Sequence, residues 1–131
     1  MILVDTSVII DFLRKRHNEA SVKFNRVLEQ GTPFGITAYI MQEVLQGAKS
    51  QRDFDVLYDY LSTQKLYVPM EHPGSYAEAA RLFMKCRKRG LTVRSSVDCL
   101  IARVAIEHDL YLLHNDRDFE AIAEVAPLKM L

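Results

Sequence analysis

The sequence predicts an α/β domain with a mainly parallel central sheet flanked by helices. Short runs that are entirely apolar alternate along the chain with segments whose apolar residues recur at helical spacing. Strands that are apolar on both faces are typical of parallel sheets covered by helices on each side. The chain has 131 residues, of which 49% are hydrophobic and 26% are charged. This composition is that of an ordinary globular protein, and we expect a single domain spanning residues 1–131.

The first half of the chain opens with a strand that leads directly into a helix. Asp5-Thr6-Ser7 can cap that helix, because short polar side chains accept hydrogen bonds from the first free amide groups. Thr37 can cap a later helix in the same way, and Gly31 and Gly47 suit helix ends. The predicted elements are, in order, strand Ile2–Val4, a helix containing Val8 to Leu13, a helix containing Ala20 to Leu28, strand Phe34–Ile36, a helix containing Ile40 to Leu45 and a helix from Asp53 to Leu61.

The second half continues the alternation of strands and helices. Pro69 ends a strand, Pro73 suits the first turn of a helix, and Gly90 suits the end of that helix. Ser95 or Ser96 opens the next helix. The predicted elements are strand Leu66–Val68, a helix containing Tyr76 to Cys86, a helix containing Val97 to Ala105, strand Leu110–Leu113, a helix near Phe119 to Ala123 and strand Leu128–Leu131.

Composition excludes several classes of protein. Seventeen basic residues balance seventeen acidic ones, which argues against binding nucleic acid by bulk positive charge. The first residues, Met1–Asp5, include no basic segment and reach an acid at once, which is not the pattern of a signal peptide. No apolar run approaches the roughly 18 residues of a membrane helix. Cys86 and Cys99 form no CxxC pair, and we interpret them as reduced thiols of a cytoplasmic protein. The four histidines lack the spacing of a zinc site.

Four acidic residues lie after predicted strands or on predicted helices, and all of them could reach one rim of the sheet. Asp5 directly follows the first strand, Asp116 lies three residues after the fourth, and Glu43 and Asp98 lie on helices. Parallel α/β sheets bind ligands beyond the carboxyl ends of their strands. Carboxylates brought together there repel one another, and hard oxygen ligands suit Mg²⁺ or Mn²⁺. The pattern therefore predicts a metal-dependent phosphoryl-transfer site.

Each of these acids also has a purely structural interpretation. Asp5 can be a helix-start residue, and Asp98 fits a capping box that begins at Ser95. Asp116 suits a turn, and Glu43 can be a solvated helix residue. Their joint placement favours the functional interpretation.

Four segments resemble the motifs of PIN domains. Val4–Asp11 resembles the opening of the family, and Glu43, Ser95–Ala102 and Leu112–Phe119 match its later motifs in order and spacing. The resemblance runs from Ile2 to the C-terminus and is strongest to the VapC-type toxins of bacterial and archaeal toxin–antitoxin pairs. It implies a PIN-like three-layer α/β/α sandwich.

The resemblance also implies roles for individual residues. The positions that match the catalytic acids, which bind one or two Mg²⁺ or Mn²⁺ ions, are Asp5, Glu43, Asp98 and Asp116. A hydroxyl of Thr6 or Ser7 would orient a water or a phosphate. Asn115 and Asp118 match more variable positions and would contact the ligand residues without binding the metal themselves.

The implied activity is that of a metal-dependent endoribonuclease. It would hydrolyse RNA phosphodiester bonds through metal-activated water, leaving 5′-phosphate and 3′-hydroxyl ends. Its implied partners are an RNA substrate, a cognate VapB-type antitoxin that inhibits it, and a second copy of the chain in a homodimer, with no membrane. The residues leave open a non-catalytic PIN-like module that only binds RNA or protein. A haloacid-dehalogenase-type phosphatase is disfavoured because Ser7 stands where that family needs a second acid.

Basic residues are concentrated in one part of the chain. No acid lies between Glu78 and Asp98, and this stretch contains the run Arg87-Lys88-Arg89. The run suits a solvated helix C-terminus, where cations are favoured. The functional interpretation is that Arg87, Lys88 and Arg89 hold RNA phosphates beside the acidic site.

Overall fold

A computed structural model describes residues 1–131, the whole chain, and confirms the predicted α/β class. The strands are β1 (Ile2–Val4), β2 (Phe34–Ile36), β3 (Lys65–Leu66), β4 (Tyr111–Leu113) and β5 (Lys129–Met130). The helices are α1 (Thr6–Leu13), α2 (Glu19–Glu29), α3 (Ala38–Gln46), α4 (Gln51–Ser62), α5 (Gly74–Lys88), α6 (Ser96–Glu107) and α7 (Arg117–Ala123). None of these helices combines the length and the apolar character needed to cross a membrane.

The strands form one five-stranded sheet in the order β3-β2-β1-β4-β5. Strand β1 runs parallel to β2, β2 runs parallel to β3, and β4 runs parallel to β5, which confirms the predicted parallel pairing. The backbone amide of Asp5 donates to the carbonyl oxygen of Leu113 at 3.0 Å. The strand order reverses at β1, and ligands of parallel α/β folds bind beyond the carboxyl ends at such a point.

The chain forms two compact units. The first comprises residues 1–67 and 113–115, and the second comprises residues 68–112 and 116–131. In the first unit, α1 packs against α2 and α3, and α3 packs against α4. In the second unit, α5 packs against α6, and α7 contacts both of them. Each unit therefore packs its own helices together, although Leu61 is the only buried residue of α4.

The core of the first unit contains the apolar residues that the strand and helix patterns select. Leu3 and Val8 have no exposed surface. The ring of Phe24 packs edge-to-face against Phe12 at 5.2 Å and against Phe34 at 5.3 Å, measured between ring centroids. These three rings join α1, α2 and β2, so the helix that carries Asp5 at its start is held firmly against the sheet.

Strand β3 is shorter than the predicted Leu66–Val68 segment. The amide of Tyr67 still donates to the carbonyl oxygen of Ile36 at 2.9 Å, but pairing ends there and Val68 is exposed. The buried ring of Tyr67 covers Gly35, where any side chain would collide with that ring. The ring of Tyr67 therefore lies against Gly35 at the point where the pairing of β3 stops.

The second unit contains both cysteines, which are free thiols as predicted. Cys86 lies on α5 and Cys99 lies on α6, and both are buried. Burial raises the pKa of Cys99 to about 12, and burial also raises the pKa of Cys86. Both thiols are therefore protonated at neutral pH and act as small core side chains.

A buried carboxylate fixes the segment that precedes α5. The side chain of Glu107 is 6% exposed and pairs with Arg103 Nε at 3.0 Å. It also accepts hydrogen bonds from the Met70 amide, at 2.9 Å, and from the Ser75 hydroxyl. Burial opposes ionisation of Glu107, but these hydrogen bonds and the charge of Arg103 outweigh it and lower the pKa of the carboxyl.

Replacing Glu107 by Gln is expected to lower the free energy of unfolding by about 1–3 kcal/mol at neutral pH, because Arg103, the Ser75 hydroxyl and the Met70 amide lose an ionised acceptor. Since the folded-state pKa is lowered, the stabilisation is present above the ordinary pKa of 4.5 and is lost as the pH falls through the folded value. Urea unfolding near neutral pH and at about pH 3 measures the difference. Glu120→Gln, at an exposed acid of α7, is the control. An equal difference at both pH values would contradict this account.

Candidate active site

Asp5 lies where β1 passes into α1. It is the N-cap residue of α1 and is 5% exposed. Its Oδ2 accepts a hydrogen bond from the Ser7 amide at 3.1 Å and another from the Ser7 hydroxyl at 2.6 Å. The structural interpretation of Asp5 as a helix cap is therefore correct, and the same contacts fix the orientation of its carboxylate. The hydroxyl proton of Ser7 is directed at Asp5.

Glu43 lies on α3, which packs against α1 in the first unit. It is partly buried and is not the solvated helix residue of the alternative interpretation. Its Oε1 accepts a hydrogen bond from the Thr6 hydroxyl at 2.9 Å. Burial, together with the negative charge of Asp5, raises the pKa of Glu43, although the bond from Thr6 acts in the opposite direction. The first unit thus brings two acids into electrostatic contact.

Asn115, in the loop after β4, is hydrogen-bonded to Ser7 and Asp11. Its backbone amide donates to the Ser7 hydroxyl oxygen at 3.0 Å. Its side-chain amide donates to Asp11 Oδ2 at 2.9 Å. Sequence reasoning gave Asn115 a supporting role but gave Asp11 none. The available signal was an acid on an otherwise apolar helix, Thr6–Leu13, where it becomes buried.

The second unit brings three acids together. Asp98 lies in the first turn of α6, Asp116 is the N-cap residue of α7, and Asp118 follows two residues later. Carboxylate oxygens of the three side chains lie within 4.8 Å of one another. Clustered hard oxygen donors fit a divalent cation, so this group can hold a metal ion.

Asp118 fastens the start of α6. It is 3% exposed, and its Oδ2 accepts hydrogen bonds from the backbone amides of Arg94 at 2.9 Å and Ser95 at 3.1 Å. Ser95 is the N-cap residue of α6 but makes no side-chain capping bond, so the predicted capping box with Asp98 is not formed. Asp118 therefore supports the helix turn that carries Asp98.

Arg94 supplies a positive charge to this acidic group. Its Nη2 lies 3.0 Å from Asp116 Oδ1, and its Nε lies 3.4 Å from Asp118 Oδ1. Hydrogen bonds to Asp118 and Asp116 raise the pKa of Arg94 further. In the sequence Arg94 was one of several bases in an acid-free stretch, and no local pattern showed that it pairs with acids more than twenty residues away.

The basic run lies at the end of α5. Arg87, Lys88 and Arg89 are exposed, and Arg89 Nη1 donates to the carbonyl oxygen of Glu124 at 2.8 Å. Arg89 therefore connects α5 to the end of α7, whereas Arg87 and Lys88 point into solvent. The helix-end placement agrees with the structural interpretation and leaves two cations available for a ligand.

Comparison with known proteins identifies the family. The PIN domain model matches residues 2–125. The chain belongs to the PIN-domain family. The VapC ribonuclease Mb1587 of Mycobacterium bovis and the ribonuclease VapC11 of Mycobacterium tuberculosis are both relatives of this PIN-domain protein. Each is 32% identical over 130 residues, which cover 98% of this chain and 96% of the relative. The predicted resemblance to VapC-type proteins is thereby confirmed.

Solved structures share the fold of this PIN-domain protein. One is VapBC2 from Rickettsia felis bound to a DNA fragment from its promoter, with a TM-score of 0.73, 18% identity and coverage of 100% of this chain and 98% of the other. Another is VapBC-1 from nontypeable Haemophilus influenzae, with a TM-score of 0.72, 19% identity and coverage of 100% and 97%. At these identities the likeness concerns the fold, and it confirms the predicted PIN-like α/β architecture.

If Asp98, Asp116 and Asp118 hold a divalent cation, removal of the guanidinium of Arg94 is expected to strengthen Mn²⁺ binding. Arg94→Ala leaves the charges of Asp116 and Asp118 unbalanced, so the variant without metal should be less stable and its apparent Mn²⁺ affinity severalfold tighter. Thermal unfolding over a series of Mn²⁺ concentrations measures both effects. Arg117→Ala, at an exposed base next to Asp116 in sequence, is the control. Weaker Mn²⁺ binding by Arg94→Ala would show that Arg94 supports the metal site instead of competing with the cation.

Proposed function

We propose that this protein is the ribonuclease toxin of a toxin–antitoxin pair and that it hydrolyses RNA with the help of Mg²⁺ or Mn²⁺. The observation that carries the proposal is the near full-length similarity to proteins named as VapC ribonucleases, in a chain whose acids are clustered. Acidic clusters without histidine or cysteine suit hard divalent cations, and such cations suit phosphodiester hydrolysis.

The proposed ligands and catalytic groups are Asp5, Glu43, Asp98 and Asp116. Three observations support this assignment. Asp5 and Glu43 interact electrostatically in the first unit, and Asp98 lies within 4.8 Å of Asp116 in the second. Asn115, which is bonded to Ser7, is followed directly in the chain by Asp116. A bound divalent cation would supply Lewis-acid charge that activates water for attack on phosphorus and offsets negative charge in the transition state.

The hydroxyls of Thr6 and Ser7 are proposed to orient the acids. Each hydroxyl donates its proton to a carboxylate, Thr6 to Glu43 and Ser7 to Asp5. A carboxylate whose rotamer is fixed by such a bond loses less conformational freedom when it binds a ligand. Asn115 and Asp118 are proposed to orient the acids indirectly. Asn115 does so by its hydrogen bond to Ser7, and Asp118 by its hydrogen bond to the start of α6.

We further propose that Arg87 and Lys88 contact RNA phosphates, with Arg89 contributing charge from a fixed position. Their exposure on the last turn of α5 supports this role, because phosphate contacts need cations that can reach a flexible strand. The balanced net charge of the chain limits non-specific attraction of nucleic acid, so a local group of cations must supply it.

The proposed partners follow from the VapBC relationship. Structures of similar fold are VapBC assemblies, which supports a cognate VapB-type antitoxin and a homodimer of this chain. An RNA substrate supports a cytoplasmic location. A cationic side chain of an antitoxin could balance the clustered acids in the way that Arg94 balances Asp116 and Asp118.

Asp5→Asn and Asp98→Asn are each expected to reduce RNA cleavage by at least about 100-fold, because each removes a charge that the cation requires. Circular dichroism and thermal unfolding should show an intact fold. The matched control is Asp59→Asn, at an exposed acid of α4, which should cleave at the wild-type rate. EDTA should abolish cleavage and Mn²⁺ should restore it. Full activity in EDTA would overturn the metal proposal, and a wild-type protein that binds RNA without cleaving it would be a non-catalytic module.

Arg87→Ala/Lys88→Ala is expected to weaken RNA binding and to flatten its salt dependence. Each lost phosphate contact should reduce the slope of log affinity against log salt by about 0.7 for single-stranded RNA. Arg89 is kept in this variant because it bonds the carbonyl of Glu124. Fluorescence anisotropy with the inactive Asp98→Asn background at several salt concentrations measures the slope. The control is Lys49→Ala/Arg52→Ala, at exposed bases near the start of α4. An unchanged slope would place the RNA contacts elsewhere.

A further inference from the structure

Asp11 is a buried acid for which the proposed chemistry has no use. It lies on α1 and is 8% exposed. Its Oδ2 accepts hydrogen bonds from the side-chain amides of Asn18 at 2.8 Å and Asn115 at 2.9 Å, and Arg16 Nη1 lies 3.4 Å from its Oδ1. A carboxylate is costly to bury without such donors, so three partners indicate a built arrangement.

Two of these donors belong to the turn between α1 and α2. Asn18 is the N-cap residue of α2, where its side-chain oxygen accepts from the Ser21 amide at 2.9 Å. The Arg16 amide donates to the Asp11 carbonyl oxygen at 2.8 Å. These bonds fix Asp11 relative to both helices. Hydrogen bonds from Asn115 and Asn18 and the charge of Arg16 together outweigh burial and lower the pKa of Asp11, in agreement with an ionised acceptor.

The third donor leads toward the acids of the first unit. Asn115 bonds Asp11 through its side chain and bonds the Ser7 hydroxyl oxygen through its backbone amide, at 3.0 Å. The Ser7 hydroxyl in turn donates to Asp5 Oδ2 at 2.6 Å. Asp11 is therefore connected to Asp5 by two intermediate residues, through contacts of 2.9, 3.0 and 2.6 Å.

We propose that Asp11 is a positioning residue for RNA hydrolysis, which holds the Asn115 side chain and, through Ser7, sets the orientation of the Asp5 carboxylate. This inference rests on the proposed function, because it assigns Asp5 to the reaction. Asp11 touches neither substrate nor cation in this account. Its effect arises because Asn115 lies in an exposed loop segment, whose side chain needs a fixed acceptor to keep the backbone amide aimed at Ser7.

The contact of Asp11 with Asn115 differs from its other contacts in the part of the chain that it reaches. Asn18, which donates to the same oxygen Oδ2 as Asn115, and Arg16, which faces Oδ1, secure the turn between the helices. A purely structural Asp11 would need only these local donors, because residues 11 to 18 are close in sequence. The bond to Asn115 joins positions 104 residues apart and reaches the loop after β4.

The test is a double-mutant cycle on RNA cleavage. Asp11→Ala and Asn115→Ala are each expected to lower kcat by about 10- to 100-fold with little change in KM, since a small misplacement of a reacting group has an effect of this size. Asp11→Ala/Asn115→Ala should be no slower than either single variant. Asp11→Asn keeps one acceptor oxygen and should recover much of the lost kcat. Arg16→Ala, which leaves the Asn115 bond in place, should retain the wild-type kcat.

A measurement independent of cleavage follows the same contact. In ¹H–¹⁵N spectra, the side-chain amide signal that disappears in Asn115→Ala should shift in Asp11→Ala and remain unshifted in Arg16→Ala. Asp11→Asn and Asn115→Ala provide the result if Asp11→Ala fails to fold, because neither leaves the turn between α1 and α2 without an acceptor.

Three outcomes would overturn the inference. A wild-type kcat for the folded fraction of Asp11→Ala would show that Asp11 is only a structural residue. The same conclusion would follow if the kcat losses of Asp11→Ala and Asn115→Ala multiplied in the double variant. An unshifted Asn115 amide signal would show that the bond is not maintained in solution. Failure of the wild-type protein to cleave RNA in Mn²⁺ would instead contradict the proposed function, and the positioning role with it.

Discussion

The mutual repulsion of carboxylates is the constraint on which the rest of this structure depends. Acids that must lie close together to hold a cation destabilise the fold unless each has its own donor. Asp5 accepts hydrogen bonds from the amide and the hydroxyl of Ser7, and Glu43 accepts one from the hydroxyl of Thr6. In the second unit a guanidinium and backbone amides serve the same purpose. The residues around the acids therefore contribute hydrogen-bond donors and positive charge as well as packing.

Two of the acids also begin helices. Asp5 caps α1 and Asp116 caps α7, and each carboxylate accepts from an amide two residues onward. The amide groups at a helix start are the donors that a carboxylate needs, so a capping position fixes the rotamer of the side chain. The structural and the functional interpretations of these acids are compatible, because the bond that caps the helix is the bond that orients the acid. Parallel α/β architecture supplies such positions where a strand leads into a helix, as β1 does at Asp5.

Most elements of the fold could be predicted from the sequence because their signals are local. Apolar runs, capping residues and helix-ending glycines lie within a few residues of the element that they define. The predictions were less accurate at β3, where the ring of Tyr67 lies against Gly35 and the pairing of the strand stops. Which elements would lie next to one another could be inferred only from the resemblance to a family.

The site could be predicted in part for the same reason. Asp5 and Asp116 could be found because they follow strands, and Glu43 and Asp98 because they match family motifs, but the partners of the acids are distant in sequence. Arg94 pairs with acids 22 and 24 residues onward, and Asp11 pairs with Asn115 across 104 residues. No periodic pattern links such positions. The contact of Asp11 with Asn115 could not be predicted, because the sequence of a helix does not show which loop will reach an acid on it.

The bonds of Asp118 to the amides of Arg94 and Ser95 limit how homologous chains can vary. Every residue except proline has a backbone amide, so other substitutions at positions 94 and 95 leave the acceptor at 118 still required. A homologue without an acid at 118 would need a different acceptor, and the most direct replacement is a capping side chain at position 95 that takes over the start of α6. In a chain without an acid at 118, a capping side chain such as that of Ser95, which makes no capping bond here, would have to hold the turn that carries Asp98.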